Sequence, residues 1–189
     1  MADYVGIAPR LLRESDLFVA VEGGFFRAVD PTYLDDALVG SRAAGRYSPP
    51  GRPTLYMSAS PEGVNVAMIA HAADRASEPA LIALSVTASR IVDLRDPVAR
   101  EATGIDLVDT LAPWQELVAS GGKPSSWHVR EQLEGAGAAG LIDPSRRAPG
   151  LWHLVLFRWN RKGEPTVRRI APGPAANPDS GDETTAGPM

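Results

Sequence analysis

The sequence predicts an α+β protein, a single domain with a central sheet flanked by helices. Three observations carry this. Short apolar runs of strand length, among them "TLYMS", "ALIALSV", "RIVDL" and "LWHLVLFRW", recur along the chain between turn residues. The stretches between them carry helix start and stop signals. Residues 171–189 hold almost no large apolar side chain, which leaves one folded body and a disordered tail.

The elements follow in order. Residues 1–20 read as an N-terminal extension, with "APRLLRESDLFVA" as a short helix outside the main core. The domain proper spans 21–170. "FFRAVD" (25–30) is a short strand that Pro31 ends. "PTYLDDAL" (31–38) makes one or two helical turns, with proline at the first position. Residues 43–53 form a stiff, turn-rich path set by Gly45, Pro49, Pro50, Gly51 and Pro53. "TLYMS" (54–58) is a strand, and 60–76 a helix. In that helix Ser60 is the N-cap, Pro61 stands at N1, and Glu62 suits the positive end of the dipole. Val64, Ala67, Met68 and His71 share one of its faces.

Strands at 80–86 and 90–94 come next. "DPVAREAT" and "DLVDTLAPWQELVAS" are helical, the second interrupted at Pro113. Residues 125–137 form a helix with serine caps and a glycine stop. "GLIDPS" (140–145) is a short strand. "LWHLVLFRW" (151–159) is apolar enough to be central, and "PTVRRI" (165–170) is an edge strand.

Composition narrows the function. A net charge of -4 argues against a dedicated nucleic-acid binder but leaves room for a local basic pocket. The absence of cysteine excludes disulfides and thiolate chemistry, and three scattered histidines argue against a zinc site. No apolar run approaches a membrane span, and the first residues do not read as a secretion signal, so the expected location is cytoplasmic.

Arg27 lies in a candidate strand and Arg46 heads the Pro/Gly path. Guanidinium forks match phosphate oxygens and keep their charge when partly buried. They serve equally well as partners for the chain's 23 acids. Tyr47 and Tyr56 place flat rings beside these arginines, which suits a planar heteroaromatic ligand or a core with tethered hydroxyls. Ser145 follows a strand and a proline, with Arg146 and Arg147 after it. "DPSRR" does not fit a G-x-S-x-G elbow, and neither His71, His128 nor His153 stands at a spacing that supports a Ser-His-Asp hydrolase. A turn hydroxyl is the other reading of Ser145. Ser126 and Trp127 open a helix, where a phosphate or ring can dock or where a cap and a core tryptophan can sit.

The order of these segments resembles the RES domain family, named for an arginine, a glutamate and a serine. Its pattern G-G-R-W/F-N-x-x-G-x-x-x-L-Y-x-S-x-S meets Gly45, Arg46, Tyr47, Gly51, Leu55, Tyr56, Ser58 and Ser60. Its late P-S-x-R meets Pro144, Ser145 and Arg147. The resemblance covers residues 25 to 159. It implies a mixed, ADP-ribosyltransferase-like sheet and an NAD-consuming toxin of a toxin–antitoxin pair, which destroys NAD or transfers ADP-ribose to a protein. NAD is the substrate and no metal is needed. The implied partner is an antitoxin with an Xre-like DNA-binding part, without direct nucleic-acid contact by this chain. By carry-over, Arg46 and Ser145 are candidate catalytic residues, and Arg27, Tyr47, Tyr56, Ser58 and Arg147 the candidate binding residues; Glu62, which matches no family position, is the third catalytic candidate as a stand-in for the family's glutamate.

One position departs from the family. Its glutamate falls eleven residues after the tyrosine, and eleven residues after Tyr56 stands Ala67. The nearest carboxylate, Glu62, is five positions away and points off by roughly 140° on a straight helix. Three readings stay open: Glu62 serves from the helix start, another acid such as Asp143 or Asp30 serves, or the chain binds a nucleotide without turning it over.

Overall fold

The computed structural model describes residues 8–69 and 78–171. His71 and the expected tail after residue 171 lie outside them. The strands are β1 (Arg10–Arg13), β2 (Val19–Val29), β3 (Leu55–Ser58), β4 (Ala80–Asp93), β5 (Gly140–Pro144), β6 (Trp152–Leu156) and β7 (Thr166–Arg169). The helices are α1 (Pro61–Ile69), α2 (Pro97–Thr103), α3 (Leu107–Leu111), α4 (Trp114–Ala119) and α5 (Ser125–Gly135). The α+β class and the mixed sheet hold, since β4 and β5 run parallel and the other pairs antiparallel. None of the described helices is long and apolar enough to cross a membrane.

The sheet closes on itself. β2 pairs with β4 from Val29 against Ala80 to Val19 against Ile91. Its other edge takes β1 and, at Phe26 opposite Ser58, β3. β3 continues to β6, β6 to β5, and β5 back to β4. The inside of this ring is filled by alternate residues: Phe25 and Val29 of β2, Leu84 and Val86 of β4, Met57 of β3 and Leu154 of β6. The outer face of β5 and β6 carries Leu141 and Val155, against which Val129 and Leu133 of α5 and Ala99 of α2 pack. β5 and β6 are thus buried on both faces, which explains why "LWHLVLFRW" reads as nearly continuous apolar sequence.

Two expectations need correcting. "RLLR" is an edge strand and not a helix. Its hydrogen bonds go to Val19–Glu22 of β2, and Leu11 packs on the core, so the extension joins the sheet. The two middle strands are one strand, β4, with a bulge where Ser89 and Arg90 face Ala20. Arg90 takes a φ of 55° there, and its N–H donates to Glu14 Oε2 at 2.8 Å.

Candidate active site

The segment between Gly45 and Thr54 is a loop pinned on both sides. At its head the Gly45 and Ser48 backbones pair with each other. The Tyr47 N–H donates to Tyr56 Oη at 3.0 Å, and Ser48 Oγ stands 3.0 Å from the same oxygen. From behind, α5 holds it. Trp127 Nε1 donates to the Gly45 carbonyl at 2.8 Å, and Ser126 Oγ donates to the Arg46 carbonyl. The Ser126 and Trp127 polar groups therefore hold backbone and do not cap α5. The residue preceding that helix is Pro124, which has no side-chain cap bond, and Ser125 donates to the Asp109 carbonyl instead. Arg130, almost fully buried, donates to the Tyr47 carbonyl at 3.0 Å and to Thr54 Oγ1 at 2.7 Å. The loop is thereby fixed in one path.

Gly45 is required by this packing. A Cβ there would lie 2.5 Å from Ser48 Oγ and 3.0 Å from Tyr56 Oη. Gly45→Ala should lower unfolding stability by about 1–3 kcal/mol in urea titrations. Gly135→Ala, at the end of α5 with nothing near the added carbon, should leave it unchanged or raise it slightly.

The loop faces a cleft of about 410 Å³, a size usual for small-molecule sites. Arg27, Arg46, Tyr47, Tyr56, Ser58, Ser145 and Arg147 all border it, so the structure brings together every nominated residue but one. Glu62 is exposed in the first turn of α1 and is not part of the cleft wall. Helix α1 brings Val64, Val66, Ala67 and Met68 to the cleft instead. The start of that helix follows the sequence: Ser60 Oγ accepts from the Gly63 N–H at 3.1 Å. Asp30 is also away from the cleft wall, and its carboxylate accepts from the Thr32 N–H and hydroxyl.

The carboxylate that does reach the cleft is Asp143, at the end of β5. It belongs to a row across three strands, because Ser58 of β3, His153 of β6 and Asp143 of β5 are successive register partners. Equal register puts all three side chains on one face. Asp143 is buried and accepts from the Tyr47 hydroxyl at 2.9 Å. Burial pushes its carboxyl up to about 6 despite opposing pulls from Arg46, the Tyr47 hydroxyl and Arg146. Ser58 Oγ lies 2.8 Å from His153 Nδ1. Burial, then the charge of Arg46, lowers the His153 pKa, so the imidazole is neutral at pH 7.

Among the described residues, four arginines, Arg27, Arg46, Arg146 and Arg147, border the cleft against one acid, Asp143. Arg46 donates to the Thr110 carbonyl and Arg146 to the Leu111 carbonyl, bonds that position both without neutralising either. Arg27 donates to the Tyr56 carbonyl at 3.2 Å, and its buried Nε has no hydrogen-bond partner among the described residues. Ser145 Oγ accepts from the Ala148 N–H at 3.3 Å, so the turn hydroxyl and the cleft residue are the same group. Tyr47 is fully buried and both tyrosine hydroxyls are engaged, so these rings serve the wall as core with tethered hydroxyls. Sequence reasoning underrated His153. Its signal was the period-two alternation of β6, which sets it on the face opposite Leu154.

Residues 25–178 match the model of the RES domain family. No curated protein matches the chain. Among solved structures, the Mycobacterium tuberculosis MbcT–MbcA toxin–antitoxin complex contains a chain of similar fold. The TM-score is 0.53 at 20% identity, over 80% of this chain and 85% of that one.

Proposed function

The chain belongs to the RES domain family, and from that premise we propose that it is the toxin of a toxin–antitoxin pair and cleaves NAD at the nicotinamide–ribose bond, passing ADP-ribose to a cellular protein. One observation carries the reading: among the described residues, four arginines surround a cleft whose one acid is a buried carboxylate. The arginines suit a diphosphate, which guanidinium groups grip by paired hydrogen bonds. When the bond between the ribose carbon and nicotinamide breaks, the electron pair leaves with nicotinamide and positive charge develops on the ribose. An adjacent carboxylate stabilises that charge. Asp143, with a pKa of about 6, is mostly ionised at pH 7 and fills this role. Arg27 and Arg46 hold the diphosphate, Ser145 bonds the substrate, and Tyr47 fixes Asp143. The acceptor then attacks the ribose carbon and gives up its proton. Water or phosphate as acceptor is the NAD-depleting form of the same reaction. The proposed partner is an antitoxin with an Xre-like DNA-binding part, a pairing consistent with the toxin–antitoxin complex of similar fold.

A second reading has its own observation. Ala67 borders the cleft where the family glutamate would stand, which suits a module that binds NAD without turning it over.

Mass spectrometry of products, after incubating the pure chain with NAD and cell extract, decides between them. Free nicotinamide with an ADP-ribosylated protein is the expected result. Free ADP-ribose or its 1-phosphate would identify the NAD-depleting form. Calorimetric NAD binding with no nicotinamide would favour the non-catalytic module and sink the enzyme.

A further inference from the structure

A second cleft, of about 390 Å³, lies behind the pinned loop. Among the described residues its wall holds five arginines, Arg42, Arg52, Arg130, Arg158 and Arg161, against one acid, Glu134. This is a dense positive surface for a chain of net charge -4. Three of the five are held in place. Arg52 pairs with Glu134 at 2.5 Å, Arg130 with the same carboxylate at 3.3 Å, and Arg158 with Glu164 at 2.7 Å. Arg42 and Arg161 are exposed, and neither has an ion-pair partner among the described residues. The back of the cleft is Arg130, whose side chain is 2% exposed. Its guanidinium stacks over Phe157 at 4.8 Å, and its Nε finds no hydrogen-bond partner among the described residues.

We propose that this second cleft is an anion site for a small phosphate-bearing molecule, separate from the proposed NAD cleft. Each of its features suits that class. Concavity selects a small ligand over an extended surface. Planar guanidinium forks match phosphate oxygens in pairs. Five guanidinium groups outnumber the carboxylates that pair with three of them, and the excess positive charge repels itself, a cost that a bound dianion would reverse. Glu134 occupies two of the arginines in the absence of ligand and is displaced from them when phosphate enters. The far wall, with Leu38, Val39 and Trp159, is apolar and gives an organic phosphate room for its uncharged part.

The test is calorimetric titration of the full chain with inorganic pyrophosphate, in the wild type and three variants. Arg46→Ala removes an arginine of the first cleft and should leave one pyrophosphate site. Arg42→Glu with Arg161→Glu reverses two exposed charges that hold no described contact, and should weaken that site at least tenfold. Glu134→Gln should tighten it severalfold, a gain that general surface attraction would not give. The proposal is overturned if Arg46→Ala abolishes all pyrophosphate binding, or if the double reversal leaves the second site intact.

Discussion

Arg46→Ala should reduce nicotinamide release from NAD by about 10²–10³-fold while the chain stays folded. The loop path does not depend on this side chain. Ser126 holds the Arg46 carbonyl, Trp127 holds Gly45 and Arg130 holds Tyr47, and all three bonds survive truncation. What is lost is a fork facing the cleft and its bond to the Thr110 carbonyl. A second effect follows from the charge. Arg46 pulls the Asp143 pKa down, so removing it lets burial push the carboxyl above its present value of about 6. Less carboxylate is then available at pH 7. The acid limb of kcat/KM should therefore move to higher pH in Arg46→Ala, on top of the overall loss. Arg46→Lys should keep the limb near its wild-type position, because the charge remains, but lose rate, because an ammonium cannot grip two oxygens at once. Unchanged turnover in Arg46→Ala, with an unchanged melting temperature, would remove Arg46 from the reaction.

Much of this site was legible because it is local in sequence. Ser60, Pro61 and Gly63 start α1 by rules that span one turn, and Tyr47, Ser48 and Tyr56 lie within ten residues of one another. The strands with two buried faces stood out for the same reason, since "LWHLVLFRW" is apolar whatever it pairs with. The illegible parts depend on distant partners. "RLLR" has no strand pattern of its own and owes its conformation to the edge of β2. Ring closure rests on β2 meeting β4 and on the single pairing of Phe26 with Ser58. The row of Ser58, His153 and Asp143 exists only in the β3–β6–β5 register. Helix α1 is a mixed case. Its period sets Val64, Ala67 and Met68 on the cleft, but Val66 borders it too and lies only about 40° round the helix from Glu62, so Glu62 is left outside by its place in the first turn and not by angle alone.

Asp143→Asn should separate activity from stability in opposite directions. Nicotinamide release should fall by about 10²–10⁴-fold, because the amide cannot offer the negative charge that an oxocarbenium-like ribose requires. Stability should rise. Burial lifts this carboxyl from 3.8 to about 6, so between those pH values the folded chain keeps a proton that the unfolded chain has released. Its contribution to stability is then complete below pH 3.8 and is lost as pH climbs through about 6. At pH 7 the buried carboxylate costs on the order of 3 kcal/mol relative to its protonated form. Asparagine avoids that cost, matches the side chain in size, and still accepts from the Tyr47 hydroxyl, now 2.9 Å from Oδ1. Urea unfolding should therefore find Asp143→Asn more stable than wild type at pH 7, with the two converging below pH 4. Wild-type turnover should rise with pH through the same midpoint near 6, as the carboxylate forms. If Asp143→Asn is instead less stable at pH 7 and keeps its turnover, the carboxylate is a structural brace for Tyr47, and the acid that the family glutamate would supply lies elsewhere.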